Sequence, residues 1–256
     1  MGFKLAEIQT EANVKGLPTE GILMFSGRPK SGKTRLLASI PESVVIELEK
    51  GGADRVNIKR RVNEVNGIAE FDEAMQDVIG NDSIKTVSID TIDQLALWHI
   101  EDLHLNEKPR AGFDSRAAWG EFSNRMHTLV DNMKTCGKLI VIAAHSKPAE
   151  KNSDGQIIAP AGIAIPGKSG NYFAAHADAI GSVGVRVVGG AAEHYVTFKA
   201  ASEAADWRSR IDELHDKEFK LKKEDPWGSF VTAAFGAPAK VAAKNITLIK
   251  SKGGKK

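Results

Sequence analysis

Gly27-Arg28-Pro29-Lys30-Ser31-Gly32-Lys33-Thr34 is the stretch that decides the fold: a glycine, four residues, then glycine, lysine and a hydroxyl residue. It follows the short apolar run Gly21 to Ser26 and opens the helix-compatible Lys33 to Ile40, which Pro41 stops. The order reads as strand, loop and helix, the context in which this spacing forms a phosphate loop. Glycines let backbone N–H groups curl around an anion, and the start of the helix adds partial positive charge. In such a loop Lys33 bridges the β- and γ-phosphates and Thr34 ligates Mg²⁺. The motif predicts a nucleotide and Mg²⁺ site over Gly27, Arg28, Pro29, Lys30, Ser31, Gly32, Lys33, Thr34 and Arg35. Pro29 has no N–H and cannot donate to phosphate. An ordinary glycine turn is the plain alternative.

Outward from the loop, strands and helices alternate. Val44 to Leu48 is brief and β-branched, closed by Lys50-Gly51-Gly52, and reads as a second buried strand. Ile68, Phe71, Met75, Val78 and Ile79 recur at helical spacing. Thr86 to Asp90 is a third strand; Ile92 to Leu103 and Trp119 to Met133 are helical in period, and Lys138 to His145 is a fourth strand. Ser146 to Ser169 carries Pro148, Pro160 and Pro166 with no sustained period and reads as a long loop. Ala179 to Val188 and Glu193 to Ala200 look like a strand pair joined at Gly189-Gly190, Trp207 to Lys223 reads as charged and partly helical, and Phe230 to Phe235 as a closing helix. Alternation over the first 145 residues predicts an α/β fold, a mostly parallel central sheet flanked by helices.

The chain has 256 residues, 42% hydrophobic and 27% charged, the balance of an ordinary globular protein. No apolar stretch approaches the roughly 20 residues of a membrane span. The N-terminus has no apolar signal core, and Ala6 stands where a myristoylation signal wants Ser or Thr. The single cysteine, Cys136, excludes an intramolecular disulfide and the usual zinc ribbons, so a reducing cytoplasm is the expected compartment. The net charge of +2 hides an asymmetry: Lys240, Lys244, Lys250, Lys252, Lys255 and Lys256 crowd the end, and no acid follows Asp225. That tail could touch a polyanion or be a frayed solubilising terminus. The expected organisation is an arm over 1–20, a core over 21–236 and a Lys-rich tail over 237–256.

A phosphate loop needs a carboxylate on a neighbouring strand to hold the metal, and Asp90 ends the third strand. An Asp there also serves to cap the next helix. Glu47 and Glu49 close the second strand, where alternation would put both on one side of the pleat. Hydrolysis requires a carboxylate to orient and deprotonate water, and Glu49, nearer the strand's end, is the better placed; the alternative is two solvated acids. His145 ends the fourth strand at the same sheet edge and could sense the γ-phosphate, or be a plain strand-end histidine.

With the phosphate loop, the Glu-bearing second strand, Asp90 and the strand Ile140 to His145 in place, the order resembles the RecA-like P-loop ATPases. It looks most like their small phage branch, the Sak-type single-strand annealing proteins, over roughly residues 18 to 215. The resemblance implies ATP binding by Lys33 and Thr34, water activation by Glu49, Mg²⁺ at Thr34 and Asp90, and coupling of ATP state to DNA through His145. It also implies two loops that grip single-stranded DNA. The first offers Lys108, Arg110, Phe113 and Arg116; the second offers Lys147, Lys151 and Lys168, with Asn171 and Tyr172 just beyond. Cations with an occasional aromatic suit sequence-tolerant single-strand binding, although each loop also reads as a plain solvated loop. The family implies a homo-oligomer, ring or filament, in a bacterial host's cytoplasm, with a single-strand-binding protein as a further partner. A neighbouring subunit's cation would complete each ATP site, Lys199, Arg208 and Arg210 being candidates.

Only some twenty residues precede the first strand, which favours annealing over full strand exchange. The Phe-x-x-Ala polymerisation signal occurs at Phe71, Phe198 and Phe230, too often to discriminate. Two rival readings stand beside this one: a P-loop nucleotide or metabolite kinase, and an ATP-dependent regulator of protein assembly.

Overall fold

A computed structural model describes residues 16–54, 56–59, 61–62, 65–106, 113–159, 161–199 and 208–236. The phosphate-loop strand β1 (Gly21–Gly27) leads into α1 (Lys33–Ala38), followed by β2 (Ser43–Glu47), the short β3 (Arg61–Val62) and α2 (Ile68–Ile79). Then come β4 (Thr86–Asp90), α3 (Ile92–Asp102), α4 (Ser115–Thr135) and β5 (Leu139–Lys147). The second half holds β6 (Glu150–Lys151), β7 (Ile157–Ala159), β8 (Gly162–Ile163), α5 (Ser169–His176), β9 (Ala179–Val188), β10 (Ala191–Thr197), β11 (Glu218–Leu221) and α6 (Pro226–Phe235).

One sheet runs in the order β11-β10-β9-β1-β5-β4-β2-β3, with β8 added antiparallel to the end of β5. From β9 to β3 the pairings are parallel, and β9, β10 and β11 then pair antiparallel at one end. Parallel strands covered on both faces read as continuous apolar runs, as β1, β2 and β5 do. The sheet divides two cores. On one side Phe71, Leu95, Phe122, Met126 and Phe173 pack from α2, α3, α4 and α5 onto Ile22, Ile46, Ile89 and Ile142. On the other, Leu36 and Leu37 of α1 and Phe230 of α6 pack onto Phe25, Val141, Val196 and Phe198.

Register sets the levels along the sheet. Glu47 pairs with Asp90, Asp90 with Ala143, and Gly27 with His145. The C-terminal ends of β1, β2, β4 and β5 therefore share one edge. β9 is level with β1 at Ser26 and Ser182 and continues six residues further to Val188 before turning back as β10. At about 3.3 Å per residue the β9–β10 hairpin rises roughly 20 Å beyond the level of Ser26.

The structure departs from the sequence expectations in four places. β2 ends at Glu47, so Glu49 lies beyond the pleat and shares no strand face with Glu47. β5 runs two residues past His145. The loop after it contains the β6–β7 hairpin and β8. The described part of Trp207 to Lys223, residues 208–223, contains no helix; it holds turns and β11, because Phe219 and Leu221 alternate into the second core between charged neighbours. Phe71, Phe198 and Phe230 are all buried and unavailable as docking anchors.

Phe230 is the hub of the second core, with Phe25, Phe198, Phe219, Trp227 and Phe235 at centroid distances of 5.9, 6.0, 5.5, 5.6 and 6.3 Å. Phe230→Ala should lower stability by about 3–5 kcal/mol, read by urea unfolding; a loss below about 1 kcal/mol would show that α6 contributes little to holding the sheet.

Candidate functional site

The phosphate loop leaves β1 at Gly27 and enters α1 at Lys33. Two glycines are required sterically. A Cβ at Gly27 would lie 2.5 Å from the Val183 carbonyl oxygen and 2.6 Å from Ser31 Oγ. Gly32 has φ of 106°, a left-handed conformation that favours glycine. A Cβ there would also press on His194 Nδ1 at 3.3 Å. The N–H groups of the first turn of α1 have no intrahelical partner, and the buried Ser31 hydroxyl has no hydrogen-bond partner among the described residues. Unspent donors around a glycine loop are what a phosphate group satisfies.

Lys33 is buried, and its Nζ donates to the carbonyls of Gly27 at 3.0 Å and Arg28 at 3.1 Å. Burial lowers its pKa, opposed by the charges of Asp90, Asp93 and Glu49. Asp90 is 4% exposed and accepts a hydrogen bond from the Thr34 side chain. Burial raises its pKa to about 6; Thr34 and Lys33 pull it down, while Glu49 and Glu47 push it up. A hydroxyl and a buried carboxylate in contact, beside a lysine, are oxygen donors suited to Mg²⁺. Thr34 and Asp90 would hold that ion, which supplies charge neutralisation to the phosphates when bound.

Glu47 and Glu49 have different surroundings. Glu47 is buried, accepts the Ala53 N–H at 2.6 Å and pairs with Arg61, so it anchors the turn after β2. Glu49 is half-buried, and its Oε1 accepts from the Thr91 hydroxyl at 2.7 Å. His145 Nδ1 lies 3.4 Å from that oxygen and 2.6 Å from Asp93 Oδ2. Glu49, Asp90, Thr91 and His145 line one cleft of about 380 Å³ with Lys33 and Thr34. Two wider hollows of about 700 Å³ each lie elsewhere, one between the end of α1 and the start of α6, the other among α2, α3 and α4.

Two residues of this neighbourhood escaped the sequence reading. Asp93, in the first turn of α3, meets His145 across 52 positions of chain. His194 reaches the loop from the rising hairpin. Neither carries a local signal, since both contacts depend on sheet order.

The other expected residues that are described lie outside this cleft. Lys108 and Arg110 fall outside the described residues. Phe113 is half-buried before α4, and Arg116 is exposed in its first turn. Lys147, Lys151, Lys168 and Asn171 are exposed, on the end of β5, on β6 and at the start of α5. Tyr172 corrects the expectation of a free aromatic platform: its ring is stacked between His127 and His176 at 3.7 and 4.0 Å, and its hydroxyl donates to Asp131. The exposed aromatic nearby is Trp119, at 38% exposure, one turn along α4 from Arg116. It lies beside Gly167, so α4 meets the turn before α5 there. Arg210 is engaged within the chain, its guanidinium donating to the Ala175 carbonyl. Lys199 and Arg208 are exposed, and Arg208 lies alongside Ile180, below the level of the phosphate loop.

These groups bring a glycine loop, a buried lysine, a hydroxyl–carboxylate pair and a second carboxylate to one cleft, on an α/β fold with a mostly parallel central sheet. Residues 21–209 match the family model described as an AAA domain, and the chain belongs to that family of P-loop ATPases. No curated protein matches the chain. Among solved structures, it is similar to a KaiC-like protein from the hyperthermophilic archaeon Pyrococcus horikoshii OT3, at 12% identity and a TM-score of 0.43. That match covers 79% of this chain and 85% of the other. No helix among the described residues is long and apolar enough to cross a membrane.

The raised pKa of Asp90 has a measurable sign. The folded state binds the proton more tightly than the unfolded chain, so this group favours folding at low pH, and that contribution is lost as pH rises from about 4 to about 6. The penalty above that window is about 3 kcal/mol at most. Asp90→Asn should therefore stabilise the nucleotide-free, EDTA-treated protein at pH 7.5 and leave it nearly unchanged at pH 4. A pH-independent difference in urea unfolding would contradict the burial argument.

Proposed function

We propose that the protein hydrolyses ATP with Glu49 as base, and that it binds single-stranded DNA in an ATP-dependent manner as an oligomer that anneals strands in phage recombination. The observation that carries the hydrolytic half is the convergence of Lys33, Thr34, Asp90 and Glu49 on one cleft. Glu49 takes a proton from water as the water oxygen bonds the γ-phosphorus; the bond to the bridging oxygen breaks, leaving ADP and phosphate. The match to the AAA domain model supports an ATPase over a small-molecule kinase.

The DNA half is supported by continuity. β5 runs unbroken from His145, at the cleft, to the exposed Lys147, and β8 pairs with it at Ser146 and Lys147. A change at His145 thus moves a cationic segment directly. Lys168, Arg116 and the exposed face of Trp119 supply further charge and a stacking surface. Annealing, the phage setting and a single-strand-binding partner rest on the Sak-type resemblance. Lys199 and Arg208 are the exposed cations that could serve a neighbour's ATP site.

Steady-state hydrolysis with and without a long oligo-dT tests the first half. Turnover should rise with DNA and vanish in Lys33→Ala, while Glu49→Gln should bind ATP yet hydrolyse it about 10²–10⁴-fold more slowly. Normal turnover by Glu49→Gln removes the base assignment, and phosphoryl transfer to a nucleoside monophosphate would establish a kinase. Lys147→Glu with Lys168→Glu should weaken oligo-dT binding and reduce the slope of log K against log salt by about 1.4, with unstimulated turnover unchanged. Unaltered binding would move the DNA site elsewhere.

A further inference from the structure

The contact between α3 and the end of β5 is stronger than packing requires. Asp93 uses both carboxylate oxygens on one residue: Oδ1 accepts the His145 backbone N–H at 2.8 Å, and Oδ2 faces ring Nδ1 at 2.6 Å. This clasp fixes His145 in position and in rotation about its own side chain. It also fixes the tautomer. Nδ1 has two carboxylate oxygens for neighbours, from Asp93 at 2.6 Å and Glu49 at 3.4 Å, and an ionised carboxylate only accepts. The proton on the ring must therefore sit at Nδ1.

The consequence falls on Glu49. Its Oε1 accepts from the Thr91 hydroxyl at 2.7 Å, and the edge of the His145 ring lies against the same oxygen, with Nδ1 at 3.4 Å and its N–H donated to Asp93. With that oxygen occupied, Oε2 remains to orient water. Asp93 does not line the cleft; its carboxylate is spent on His145, and it acts through the imidazole.

We infer that Asp93 is a positioning residue for ATP hydrolysis: it clasps the backbone and ring of His145 so that the protonated edge of the ring rests against the Glu49 oxygen that Thr91 holds and leaves the other for the attacking water. The inference rests on the reading of Glu49 as the base. Carboxylate partners that fix a histidine's tautomer change activity by about 10–100-fold when replaced.

Asp93→Asn is the variant to make, because its amide keeps an oxygen for the His145 backbone N–H but turns an N–H₂ toward ring Nδ1, inverting the tautomer. The expected result is a kcat lowered about 10–100-fold with ATP Kd within about twofold of wild type. In a His145→Asn background, Asp93→Asn should add no further loss, since its effect travels through the ring. Wild-type kcat in Asp93→Asn, or an equal loss in both backgrounds, overturns the inference. Ring ¹⁵N shifts of His145 in the wild-type protein, assigned by comparison with His145→Asn, provide a readout that does not require the variant to fold. A proton on Nδ1 supports the clasp, and a bare Nδ1 overturns it. Glu49→Gln run in parallel separates the two levels. If it hydrolyses ATP normally, the base assignment fails and takes the inference with it. If it is slow while Asp93→Asn is normal, the inference alone fails.

Discussion

Parallel pairing of β1, β5, β4 and β2 in one register is the constraint from which the site follows. Because β5 lies between β1 and β4, the phosphate loop and Asp90 are separated by one strand's width and bridged by the first turn of α1. Gly27 and His145 share a level, as do Glu47, Asp90 and Ala143. Two residues past Glu47, the chain reaches the level of His145 with Glu49. A one-residue slip in any of these ladders would turn Asp90 or the approach to Glu49 toward a different face. The apolar runs Val44 to Ile46 and Ile140 to Ala144, buried on both sides, hold that register.

The edge so formed carries an electrostatic tension. Lys33 is buried with Asp90 and Glu49 nearby, its amine resting on the loop's own carbonyls, and burial raises the pKa of Asp90 to about 6. Desolvation disfavours both charged forms. A polyphosphate with its divalent ion supplies the missing counter-charges: anionic oxygens for Lys33, a cation for Asp90. The site is thus costlier to keep charged when alone than when filled, which is a physical reason for binding nucleotide and metal together.

Much of this was legible in the sequence, and the parts that were not share a cause. The helix Ile68 to Ile79 and the strand Thr86 to Asp90 were read because their periods of 3.6 and their buried apolar runs are local signals. The phosphate loop was read because its chemistry demands fixed spacing. β11 was missed because two inward residues in a charged four-residue strand resemble the face of a helix. Asp93 and His194 were missed because their partners lie across the sheet, and no spacing along the chain encodes strand order. Tyr172 was read as a free aromatic because nothing local shows that His127, from another helix, covers its ring.

The most direct test of the account is a crystal structure of the protein with ADP, Mg²⁺ and aluminium fluoride. The account predicts Mg²⁺ beside Thr34 and Asp90, the fluoride within hydrogen-bonding reach of Lys33 Nζ, and Glu49 contacting the water opposite the leaving oxygen. A nucleotide lodged in the hollow between α1 and α6, or a Glu49 turned away from the transferring group, would contradict it.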